Sequence, residues 1–196
     1  MIGVMVPNSF AWYGDVGIHM FELCTDYGVL DIKNKLCTLT KDVPHTIYVG
    51  PQIYAKYLDK TIDHESITND WQKLDYEGIS YSPGIVNQGI AGSLVFDKFT
   101  VDGNGHTIAP TNEQCEYSTG GIAIGAGDVT LKNIIVDGSN WDCNRRGDSP
   151  KALVGISVER GTVIDSEVYG TTGIGITGKA ATIKNNFIHD IKKDDS

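Results

Sequence analysis

Asp102, Asp137, Tyr169 and His189 each follow an aliphatic residue in short segments of similar pattern: Val101-Asp102-Gly103, Val136-Asp137-Gly138, Val168-Tyr169-Gly170 and Ile188-His189-Asp190. If those segments lie side by side in register, the four side chains form one outward column. Two carboxylates at that spacing, Asp102 and Asp137, would raise one another's pKa or share a hard cation such as Ca²⁺. Both Asp-Gly triplets are also good turn sequences, in which each carboxylate would serve only its own backbone.

A second set of chemical side chains falls in two turn-rich stretches, "APTNEQCEYSTG" at 109 to 120 and "GSNWDCNRRGDSPKA" at 138 to 152. Glu113, Glu116, Tyr117, Trp141, Asp142, Arg145, Arg146 and Asp148 mix aromatic rings with charges of both signs. Aromatic faces pack on pyranose rings, and carboxylate and guanidinium groups bond sugar hydroxyls or uronates. The arrangement suits polysaccharide contact, and equally a packing loop. His106, in "GNGHTI", is a weaker candidate for a catalytic base.

Positioning these groups requires a repeat. Residues 129 to 138 read "VTLKNIIVDG", 161 to 170 "GTVIDSEVYG" and 181 to 190 "ATIKNNFIHD". Each has a threonine, an aliphatic residue, and a second aliphatic five positions later. The pairs are Leu131 and Val136, Val163 and Val168, and Ile183 and Ile188. Residues 94 to 103, "LVFDKFTVDG", fit the same frame with Phe96 and Val101. "GIAI", "GISV" and "GIGI" precede three of the units. Short alternating strands with Gly and Asn corners, repeated without intervening helices, are the pattern of a β-solenoid. "FTVDGNGHTI", residues 99 to 108, then reads as a corner between two strands with Val101 and Ile108 pointing inward, rather than as a hairpin.

"VDGNGHTI", "GIAI", "VTLKNIIVDG" and "ATIKNNFI" resemble the right-handed parallel β-helix of the pectate-lyase-like superfamily, particularly its NosD-type repeats. The resemblance covers about half the chain and implies an all-β, single-stranded right-handed parallel β-helix with an N-terminal capping region. The superfamily includes polysaccharide lyases, polygalacturonases, alginate epimerases, phage tailspikes and adhesins, so fold alone implies no single activity. This sequence has no counterpart of the paired-Asp hydrolase motifs or of the epimerase motif.

Residues 1 to 75 are expected to form the cap and early rungs, and 76 to 196 the β-helix; a separate small N-terminal domain is the alternative. Strands are expected at 29 to 32, 36 to 39 and 45 to 49. Pro51, with Ile53 and Tyr57 four apart, predicts a short helix near 52 to 59. Cys24, Cys37, Cys115 and Cys143 have no metal-finger spacing. They permit two disulfides or four buried thiols. Cys115 and Cys143, both in insertions of adjacent rungs, are the expected pair.

Sixteen basic against 25 acidic residues give a net charge of −9, which argues against nucleic acid or an anionic membrane as the main partner. No recognisable signal peptide and no run of apolar residues long enough to span a bilayer are seen. No cofactor is expected, apart from Ca²⁺ at Asp102 and Asp137. The first functional expectation is a noncatalytic extracellular or virion-surface domain contacting polysaccharide. A polysaccharide lyase or glycoside hydrolase is the second, and a structural module forming homo-oligomers through open solenoid ends the third. For the last rung, either the amino-terminal segment of a second copy docks on it, or the charged tail and a loop fold over it.

Overall fold

A computed structural model describes residues 18–54, 79–82, 93–111, 121–141 and 153–193. Its commonest element is a three-residue strand with only the middle residue buried, as in Thr130-Leu131-Lys132 and Thr162-Val163-Ile164. Strands this short are stable only in ladders, and 15 of the 18 described strands are organised into three of them.

The chain enters with β1 (Ile18–His19), α1 (Met20–Asp26), β2 (Gly28–Asp31) and β3 (Leu36–Leu39). It continues through β4 (Ile47–Val49), β5 (Gln52–Tyr54), β6 (Ile79–Ser82) and β7 (Ser93–Phe96). Next come β8 (Thr100–Asp102), β9 (Thr107–Ile108), β10 (Gly121–Gly127), β11 (Thr130–Lys132) and β12 (Ile135–Asp137). The last six are β13 (Leu153–Glu159), β14 (Thr162–Ile164), β15 (Glu167–Tyr169), β16 (Ile174–Lys179), β17 (Thr182–Lys184) and β18 (Phe187–His189).

Sheet A has the order β1-β4-β10-β13-β16, sheet B β17-β14-β11-β8-β3-β2, and sheet C β18-β15-β12-β9. Every pairing in them is parallel except β2 with β3. From β10 onward the chain visits A, B and C in turn and returns to A one strand further along. Inward residues stack from level to level. Cys37, Val101, Leu131 and Val163 form one fully buried column, and Ile108, Val136 and Val168 another. Ile47, Ile124 and Ile156 stack likewise in sheet A. All belong to one apolar core.

Left-handed residues make the corners. Between sheets B and C, Asn104, Asn133, Asp165 and Asn185 have φ of 51 to 55°. Asn and Asp tolerate this conformation because their short polar side chains bond locally. The corner Gly103 is fixed by close approach: a Cβ there would lie 2.7 Å from Ile134 Cα. "FTVDGNGHTI" is indeed a corner, since β8 lies in sheet B and β9 in sheet C.

The frame of residues 94 to 103 differs from the expected one. Val101 pairs with Leu131, not with the level of Val136, and Ile108 pairs with Val136. The aligning feature is Thr100, which stands in one ladder with Thr130, Thr162 and Thr182. Val101 and Ile108 are seven apart where Leu131 and Val136 are five apart, because the Gly103–Gly105 corner is longer. Residues 93 to 96 instead join an antiparallel side sheet of order β5-β7-β6. Phe96 closes that sheet onto the core, edge to face with Phe99 at 5.0 Å.

Residues 52 to 54, expected to start a helix, are β5 in that side sheet: Ile53 pairs with Leu94, and the Phe96 amide donates to the Pro51 carbonyl at 2.8 Å. The remainder of that stretch, and the expected boundary at residue 75, lie outside the described residues. The strands expected at 29 to 32, 36 to 39 and 45 to 49 correspond to β2, β3 and β4.

Helix α1 packs against the core beside β2 and β3. Met20, Leu23 and Cys24 share one face of α1 and are buried, at the spacing of an amphipathic helix. A disulfide joins Cys24 to Cys37 on β3. The strand β2 turns back antiparallel on β3 as the last member of sheet B. Cys115 and Cys143 lie outside the described residues. No helix among those described is long and apolar enough to cross a membrane.

Candidate ligand-binding face

In β12, β15 and β18 the middle residue points inward, so the residues on either side point outward. This yields two parallel columns on the outer face of sheet C: Asp137, Tyr169, His189, and Ile135, Glu167, Phe187. Three of the four expected column members therefore come together. The second column was missed, although strict alternation places the residue two before each outward position on the same face.

The side chains of this face interlock. The rings of Tyr169 and His189 stack at 5.2 Å with planes 20° apart, and Phe187 approaches His189 at 4.5 Å. His189 Nε2 lies 2.9 Å from Glu167 Oε1, and its Nδ1 lies 2.8 Å from Asp190 Oδ2. The Glu167 carboxylate, and then that of Asp190, hold the His189 imidazolium above the ordinary histidine range. Partial burial, then the charge and hydrogen bond of Asp137, push the Tyr169 phenol upward. Asp137 Oδ1 also accepts the Ser139 amide at 2.8 Å, closing an Asx turn. Phe187 is 63% exposed, the most open of the large apolar side chains described.

Asp102 is elsewhere. It stands on the outer face of sheet B, level with Lys132 rather than Asp137. Lys132 Nζ lies 2.9 Å from its Oδ2, while Asn133 Nδ2 and the Asn104 amide each donate to Oδ1 at 3.0 Å. Partial burial works to raise its pKa, but these three donors outweigh it and hold the carboxyl below the usual range. The pair expected to share Ca²⁺ is thus split between two sheets by the longer Gly103–Gly105 corner. Asp102 is committed to a lysine and to its own turn, an arrangement that does not suit a cation. Among the described residues, no group of three His, Cys, Asp or Glu side chains is placed to hold a metal ion.

Trp141, expected as an open platform, is 7% exposed, and its indole Nε1 is buried with no hydrogen-bond partner. It packs into the core after its amide bonds Gly138 O at 3.0 Å. Tyr117, Asp142, Arg145 and Arg146 lie outside the described residues, as do Glu113, Glu116 and Asp148. In chain order, β9 and β12 of sheet C come before these segments and β10 and β13 of sheet A after them. His106 pairs with Asp42, Nδ1 to Oδ1 at 3.4 Å. A charged ladder of Asp128, Arg160, Glu159 and Lys179 crosses three levels at the corner between sheets A and B.

The chain matches no protein-family model, no curated protein and no solved structure. Its class is accordingly defined by architecture: an all-β protein with three ladders of parallel strands around one apolar core, and an aromatic and acidic face on one of them.

Proposed function

We propose that the chain is a right-handed parallel β-helix of the pectate-lyase-like type that binds polysaccharide noncatalytically along the outer face of sheet C. The β-helix reading is supported by the cyclic order in which the chain visits three parallel sheets, and by the Asn and Asp corners that repeat at each level. The binding reading is carried by one observation, the strip of Tyr169, His189 and Phe187 rings flanked by Asp137 and Glu167. Rings offer apolar area to the C–H faces of pyranoses, and carboxylates accept sugar hydroxyls. Strand spacing of about 4.8 Å sets Tyr169 and His189 to meet successive parts of one chain.

An extracellular or virion-surface location fits the Cys24–Cys37 disulfide, because such bonds persist in oxidising compartments. With Phe187 63% exposed, each site is expected to bind weakly, with a Kd on the order of 0.1 to 1 mM.

Calorimetric titration with neutral and uronate oligosaccharides, guided by a glycan array, tests the proposal. Phe187→Ala should weaken binding about fivefold, equivalent to roughly 1 kcal/mol of lost aromatic contact. Glycan binding unchanged in both Phe187→Ala and Tyr169→Ala would remove the strip from the reading. Uronate-lyase turnover of the same oligosaccharides would favour the enzymatic alternative.

A further inference from the structure

We propose that α1 is a redox-controlled strap, held shut against sheet B by the Cys24–Cys37 disulfide. A reductant reaches the bond only when the strap has loosened, and the reduced strap opens far more often. Both cysteines are buried, Cys24 at 1% exposure and Cys37 at 0%. Cys37 stands in the inward column of sheet B beside Val101, and Cys24 belongs to the same apolar core. Reduction requires a thiolate to approach a sulfur directly, and two buried sulfurs leave it no approach in the closed state. The helix that shields them is itself a surface element, with Thr25 and Asp26 exposed on it and Met20 and Leu23 turned into the core.

Fixed points on either side confine the movement to this helix. Before it, β1 pairs with β4, and the Ile18 amide donates to the Thr46 carbonyl at 3.0 Å. After it, the Tyr27 carbonyl accepts the Thr40 amide at 2.9 Å. The Tyr27 ring also meets His45 edge to face at 5.9 Å and carries Lys41 Nζ 5.0 Å from its centre. The helix between these points has seven residues, too few to be stable without packing. Loosening therefore needs Met20 and Leu23 to leave the core while the parallel ladders stay paired. The chemistry balances with a dithiol reductant. One of its thiolates attacks Cys24 Sγ, the S–S bond breaks, and Cys37 departs as a thiolate that takes up a proton. The second thiolate of the reductant then displaces Cys24 from the mixed disulfide, so the dithiol ends as a cyclic disulfide and the protein gains its two electrons. Without the covalent tie the strap keeps its packing, but its open fraction rises.

This inference is independent of sugar binding. Timed exposure of the folded protein to dithiothreitol, followed by alkylation and peptide mapping at Cys24 and Cys37, tests its first half. Reduction should be at least about 100-fold slower than in the denatured chain. Leu23→Ala should speed it at least about 10-fold, and Val168→Ala, a core truncation on β15, should leave it within about twofold. Hydrogen exchange of the wild type in its oxidised and reduced forms tests the second half without any variant. On reduction, the amides of α1 should exchange at least about tenfold faster, while those of β14 and β15 keep their protection. Reduction as fast in the folded as in the denatured chain, or a rate that Leu23→Ala leaves unchanged, would overturn the proposal. So would equal acceleration by Val168→Ala, α1 amides indifferent to reduction, or protection lost in β14 and β15 together with α1.

Discussion

His189 shows how a residue acquires properties from its place in a ladder. As an isolated surface histidine it would titrate near pH 6.5. Here Glu167 on the neighbouring strand and Asp190 beside it favour the imidazolium. A histidine whose folded pKa is raised stabilises the native state fully below its unfolded pKa and loses that contribution as pH rises through the folded one. The melting-temperature difference between wild type and His189→Gln should therefore be largest at about pH 5.5 and shrink toward about pH 8.5. A difference constant across that range would show that the carboxylates do not favour the charged ring. Val163 teaches the opposite lesson, because its role depends on having no chemistry at all. Fully buried between Leu131 and Ile183, it should tolerate Ile with little loss, whereas Val163→Asp should cost at least about 3 kcal/mol in denaturant melts.

At the level of elements, the corners hold the register. Asn133 sits at φ 51° and donates its side-chain amide to Asp102. Asn133→Val should destabilise by about 1 to 2 kcal/mol, because a β-branched residue resists the left-handed region. Asn133→Gly should cost distinctly less, and the reverse order in chemical melts would remove the corner argument. Such corners also explain what could be read in advance. Threonine followed by an aliphatic residue recurs at Thr130, Thr162 and Thr182 with equal corners between, so β11, β12, β14, β15, β17 and β18 were legible in correct register. Thr100-Val101 carries the same mark, but its corner is two residues longer, and a gapless frame displaced it onto Phe96. That displacement alone created the apparent pairing of Asp102 with Asp137. The helix expected after Pro51 failed for a tertiary reason: Ile53 finds a strand partner in Leu94, more than forty positions further on, which no local pattern announces. The Cys24–Cys37 bond was equally hidden, since nothing in the spacing reveals that α1 folds back on β3. Removing that bond with Cys24→Ser should lower stability by roughly 3 kcal/mol, the expectation for closing a loop of this size, read as a lower denaturation midpoint.

At the scale of the whole described structure, helix, hairpin and disulfide gather beside β2 and β3, and the inward columns of sheets B and C are fully buried through β14 and β15. Stability in stacked repeats is close to a sum of nearest-neighbour contacts. Amide exchange should thus be slowest in β11 to β14, whose inward residues are fully buried, and faster in β16 to β18, where Ile174, Ile183, Phe187 and Ile188 are exposed. Uniform protection along the axis would contradict this. Antiparallel β2 has a further consequence, for how the chain is made. Its hairpin with β3 is local, with Gly28 opposite Leu39 and Asp31 opposite Leu36, so it needs nothing synthesised later. Most of sheet B then adds strands in the order of translation, β3, β8, β11, β14 and β17, each arriving at a finished template. A polypeptide leaving the ribosome can therefore build sheet B as a zipper that starts from a local hairpin, its growing edge taken up by its own next segment.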